Sequence, residues 1–110
     1  MIYNKNIRMT FYEVNDFAEP EAGMSFNPRC SILSYGRAKI TSENNTEVVY
    51  RLNIAIPYKR TRPYNMIRED SQLSFVHEGI TFAVKGIQTV LDGMGRPRMF
   101  LIDLENTQEA

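Results

Sequence analysis

Residues 73–104 read LSFVHEGITFAVKGIQTVLDGMGRPRMFLIDL. Apolar and polar residues alternate over three strand-length runs, and the breaks between them carry turn residues: Glu78-Gly79 first, then Asp92-Gly93-Met94-Gly95. This pattern predicts a three-stranded antiparallel meander. A few strands with one apolar face are not stable in water until that face is covered, so the chain upstream must supply the cover.

The upstream sequence holds suitable strands. In residues 7–14, Ile7, Met9 and Phe11 alternate with Arg8, Thr10 and Tyr12. Residues 30–41, CSILSYGRAKIT, alternate more loosely, and Gly36 suggests a bulge or bend there. Residues 47–56 are the cleanest strand: Val48, Tyr50, Leu52, Ile54 and Ile56 face one way, and Val49, Arg51, Asn53 and Ala55 the other. At about 3.3 Å per residue this run would span roughly 33 Å, long enough in a small domain that curling into a barrel is expected. Pro57 has no amide proton and is expected to end the ladder.

Between these strands lie two long loops. Residues 15–28 collect Asn, Asp, two Pro and a Gly with an acidic cluster of Asp16, Glu19 and Glu21. Residues 57–70 form a basic, aromatic loop with Lys59, Arg60, Arg62, Tyr64 and Arg68, within which residues 66–70 have room for one helical turn. Loops of this length in a small domain usually carry function or a partner contact. Within the meander, Ile80, Phe82 and Val84 share one parity and Ile87 the other, so a bulge at Gly86 would return Ile87 to the core. Residues 105–110, ENTQEA, are expected to fray. The expectation is one all-β domain over residues 1–110, a small antiparallel β-barrel of about six strands, of SH3-like or OB-like size.

Thirteen basic residues balance thirteen acidic ones, so no global positive field draws the molecule to nucleic acid. One cysteine, Cys30, and one histidine, His77, are too few for a disulfide framework or a Cys/His zinc site. No apolar run approaches the roughly 20 residues that span a bilayer, and the N-terminus lacks the apolar core of a signal peptide, so no membrane partner is expected.

Reactive constellations are equally scarce, and no enzyme activity or cofactor is expected. His77 beside Glu78 has no nucleophile or orienting partner that the sequence can name. Cys30 starts a strand, where a free cysteine behaves as a small hydrophobe. The run DGMGRP at residues 92–97 resembles a phosphate-gripping loop, but Pro97 leads into a strand instead of a helix N-terminus, so a hairpin turn is the better reading. Asp16, Glu19 and Glu21 lack EF-hand spacing. The clearest local departure from neutrality is the basic run, where Arg51, Lys59, Arg60, Arg62 and Arg68 follow one another without an intervening acid. It has three readings: a solvated loop, a surface that meets the acidic loop of a neighbouring copy, or a contact for nucleic-acid phosphates with Tyr58 and Tyr64 available for stacking.

Ile7-Arg8-Met9-Thr10, Arg62-Pro63-Tyr64 with Met66-Ile67, the run FVHEGITFAVKG at residues 75–86 and the closing RMFLIDLE together resemble the head-closure, or stopper, group of tailed-bacteriophage head-tail connector proteins. The resemblance implies a small β-barrel with long loops and no catalytic residues. It implies assembly in the host cytoplasm into a ring of copies in the virion neck. Its partners there would be a portal or adaptor protein on the head side and a tail-completion or tail-terminator protein on the other. A long loop would reach the channel and contact packaged double-stranded DNA; either loop fits that part. The competing reading is an OB-like nucleic-acid-binding module that stacks bases on Tyr50, Phe75 and Phe82, although these share parity with the expected core.

Overall fold

The computed structural model describes residues 1–14 and 16–109, and every regular element among them is a β-strand. In chain order these are β1 (Lys5–Asn6), β2 (Arg8–Val14), β3 (Pro20–Phe26), β4 (Arg29–Thr41), β5 (Thr46–Pro57), β6 (Leu73–His77), β7 (Ile80–Leu91) and β8 (Pro97–Glu109). They form one curled antiparallel sheet in the order β1-β4-β5-β8-β7-β6-β2-β3. β6, β7 and β8 are the expected meander. β5 is central, with β4 on one side from Ser31 to Thr41 and β8 on the other from Met99 to Glu109.

The strand count is eight, where the sequence suggested about six, because two longer runs are each interrupted. Lys5↔Cys30 and Asn6↔Arg29 continue the offset of Met9↔Phe26 and Thr10↔Ser25, so residues 5–14 and 20–30 make one long hairpin broken at Ile7 and at Asn27-Pro28. The Ile7 amide bridges the break by donating to the Pro28 carbonyl at 3.2 Å. Beyond that hairpin, β2 pairs with β6 and β4 with β5, which is how the sheet curls around a single apolar interior.

That interior holds Ile7, Met9, Cys30, Leu52, Ile54, Ile56, Leu73, Phe75, Phe82, Phe100, Ile102 and Leu104, the positions that strand alternation assigned to one face. Ile67 joins them from the basic loop. The ladder between β7 and β8 shifts register between Val84 and Gly86, and Phe82, Val84 and Ile87 all pack on the core, as the parity change required. The hairpin His77↔Ile80 turns through Glu78 at φ 51° and Gly79 at φ 78°, the two left-handed residues of a tight hairpin turn. The DGMGRP run is also a hairpin turn: Asp92 Oδ1 accepts from the amides of Met94 at 2.8 Å and Arg96 at 3.0 Å, and Gly95 takes φ 78°.

Several expectations are corrected. The acidic segment is a strand for half its length, because β3 pairs with β2; Asn15, where the loop was expected to begin, lies outside the described residues. The bulge in β4 falls between Ile32 and Ser34, which leaves Leu33 unpaired, while Gly36 stays in register opposite Arg51. No helical turn forms at residues 66–70; the chain instead turns at residues 61–66, where the Asn65 amide donates to the Thr61 carbonyl and the Met66 amide to the Pro63 carbonyl. Pro57 does not stop the ladder: it lies opposite Met99, and the Tyr58 amide donates to the Arg98 carbonyl at 3.0 Å. Since Tyr58 points its amide at β8, the Pro57 nitrogen points the other way, where pairing with β4 has already ended at Ala55. Residues 105–109 do not fray, being paired with β5 up to Glu47↔Glu109; Ala110 lies outside the described residues.

Candidate functional site

The basic loop is anchored at its middle and open at its charges. Ile67 and Pro63 are buried, and the Arg62-Pro63 bond is cis. Tyr58 packs edge-on against Phe100 with ring centroids 6.3 Å apart. The Tyr64 hydroxyl accepts from the Arg29 amide at 3.0 Å, and the Lys59 Nζ sits 4.9 Å from the Tyr64 ring centroid, a cation–π contact. Asn65 Nδ2 donates to the Arg60 carbonyl at 3.1 Å, and the Arg68 guanidinium donates to the carbonyls of Asn65 and Ile67, both at 2.9 Å. The loop thus holds its shape with its own backbone. Lys59, Arg60, Arg62 and Arg68 remain exposed. Neither tyrosine is a free stacking platform.

The acidic segment forms the far end of the β2–β3 hairpin. Asp16, Glu19 and Glu21 are all exposed, and Glu21 lies directly opposite Glu13 on β2. Two like charges in cross-strand register repel, so this tip is a concentrated negative surface. Residues 9–28 contain no Lys or Arg. The two segments that the sequence singled out touch within one copy, where the Arg62 guanidinium lies 3.6 Å from the Met24 sulfur on β3.

A third feature escaped sequence reading. Past the core, the outer halves of β4 and β5 with the end of β8 form an arm on which Tyr35, Arg37 and Lys39 share a face with Tyr50, their partners being Leu52, Tyr50 and Val48. Arg37 lies over the Tyr50 ring at 5.9 Å. Its signal in the sequence is an acid-free run from residue 22 to 42, but Arg37 and Lys39 lie on a loosely alternating strand whose exposure depends on its neighbours in the sheet.

The remaining candidates stay apart. Cys30 is fully buried, and burial pushes its thiol from 9.0 up to about 11, away from nucleophilic use at neutral pH. His77 Nε2 lies 3.8 Å from Glu78 Oε1, and its ring meets Tyr35 edge-on at 5.8 Å. An open groove of about 390 Å³ runs past Leu33, Asn53, Gln88 and Asp103 and contains neither His77 nor Cys30. Among the described residues, no group of three or more His, Cys, Asp or Glu could hold a metal ion. Phe75 and Phe82 are fully buried, which removes two of the three rings the OB-like reading needs.

No family model matches the chain, and no curated protein matches it. Its fold is similar to that of a chain in a solved structure described as the virion of a native gene transfer agent particle, with a TM-score of 0.67 over 100% of this chain and 99% of that one at 9% sequence identity. At that identity the likeness establishes the fold: a curled, all-antiparallel β-sheet that also serves in a virion.

Proposed function

We propose that the chain is a structural subunit of a tailed-phage-like virion, forming a ring in the neck that joins the portal or adaptor of the DNA-filled head to the tail and helps retain the DNA. The observation that carries this reading is the end-to-end fold similarity to a virion chain of nearly equal extent. The resemblance of residues 7–10, 62–67 and 75–86 to head-closure proteins supports it independently. So does the layout of charge, with zero net charge divided into an acidic hairpin tip and an acid-free basic loop, as suits a subunit that meets other protein surfaces in a fixed register. In this reading the protein is not an enzyme, needs no cofactor, and works through Asp16, Glu19 and Glu21 on one surface and Lys59, Arg60, Arg62, Tyr64 and Arg68 on another.

The basic loop gives the first test. Arg60 and Arg62 are exposed, and the contact of Arg62 with Met24 is a weak one at the surface. Reversing both to Glu should therefore change stability by less than about 0.5 kcal/mol. The same change should clearly weaken assembly with copies or neck partners, measured by sedimentation. Undiminished assembly would remove the basic loop as an interface.

A further inference from the structure

Residues 20–41 form one bent run, β3 followed by β4, with opposite charge at its two ends. The β3 end carries Glu21, with Glu19 just before the strand and Glu13 facing Glu21 from β2. The β4 end carries Arg37 and Lys39, two residues apart and on one face of the strand. No acid lies between residues 22 and 42.

The open edges of this run face opposite ways. β3 has β2 as its one strand neighbour, on the side where β1 pairs with the first two residues of β4. β5 lies on the other side of β4, so among the described residues the edge of β4 beyond Cys30 faces away from the open edge of β3. The basic loop already lies beside the second half of β3, through Arg62 on Met24, and beside the start of β4, through Tyr64 on the Arg29 amide, while Glu21 in the first half of β3 is exposed. On β4, Tyr35 packs against His77 and Phe82, which leaves residues 36–41 uncovered. Within the uncovered stretch of β4, Ile40 adds an exposed apolar side chain, 48% exposed.

A strand that is acidic at one end, basic at the other and open on opposite edges is built to join copies head to tail, the interface type that closes into rings. We infer that the open β4 edge at residues 36–41 receives the acidic β2–β3 tip of the next copy, with Glu19 and Glu21 set against Lys39 and Arg37. The docked cations relieve the repulsion between Glu13 and Glu21. The inference rests on the ring-forming reading. It also reassigns the basic loop: since that loop sits beside its own β3, its four exposed cations are left for a different partner.

A charge swap tests it. Arg37→Glu with Lys39→Glu in one variant, and Glu19→Lys with Glu21→Lys in another, should each weaken self-assembly by about tenfold or more, and an equimolar mixture of the two should restore it. Assembly is read as mass by sedimentation, and circular dichroism checks that each variant keeps the β fold. In wild-type assemblies the amides of residues 36–41 should gain hydrogen-exchange protection over the monomer. Wild-type assembly with both variants unaffected, or with no gain of protection on β4, overturns the β4 docking site and leaves the ring reading standing. Wild-type protein that never assembles, alone or on neck partners, overturns the ring reading itself.

Discussion

Glu78 is held at φ 51° in a two-residue turn that Asn or Gly suits better, and its one described ion contact is a 3.8 Å approach to His77 at the surface. Glu78→Asn should therefore raise stability by roughly 0.5–1 kcal/mol in thermal or urea unfolding. Cys30 makes a prediction of opposite character. Below about pH 9 its thiol is protonated in both folded and unfolded chains; above that the unfolded thiol ionises while burial keeps the folded one protonated up to about 11. Its contribution is thus complete below about pH 9 and is lost as pH rises toward about 11, by about 2 kcal/mol. The stability gap between wild type and Cys30→Ala should narrow over that window, and thiol reagents should leave native protein unlabelled at neutral pH. A gap independent of pH would show that Cys30 is not desolvated in the folded state. The behaviour of Cys30 as a small hydrophobe was legible from its place at the start of an alternating run. The strain at Glu78 was not, because a glutamate does not announce a left-handed backbone.

The meander was legible as elements because its alternation and its turn residues agree, and even the bulge before Ile87 followed from a parity change that the core could not otherwise absorb. Where the reading failed, pairing across the sheet overrode local composition. The segment at residues 15–28 looks like a loop by its Pro, Gly and Asn content, yet β2 offers an edge and residues 20–26 pair with it as β3. The polar run ENTQEA lacks an apolar face, but residues 105–109 continue the ladder on β5. Those amides should exchange slowly, on the timescale of β5 itself, where a frayed tail would exchange at the rate of an unfolded peptide. Removing residues 105–109 should also expose the β5 side of the arm and reduce assembly if that arm carries an interface. Of the candidate site, the charged residues of both loops were legible as exposed patches. The β4 arm was not, because its openness depends on which strands lie beside it.

At the level of the whole molecule, the fold is a curled sheet whose interior is spent on apolar packing and whose distinctive chemistry lies on its projections: an acidic hairpin tip, a basic loop and a basic strand edge. The proposed role is to hold other surfaces in register, and the similarity in fold to a chain of a virion sets the scale at which to look. The central claim is that copies of this chain close into a ring in a virion neck. Electron microscopy of particles that incorporate the chain, reconstructed with the neck's symmetry imposed only after an asymmetric pass, tests it most directly. The account predicts a closed ring of density at the head-tail junction into which the eight-stranded fold fits, with each β2–β3 tip against the β4 edge of its neighbour. Particles whose neck contains no copy of the fold, or that carry it elsewhere as isolated subunits, would contradict it.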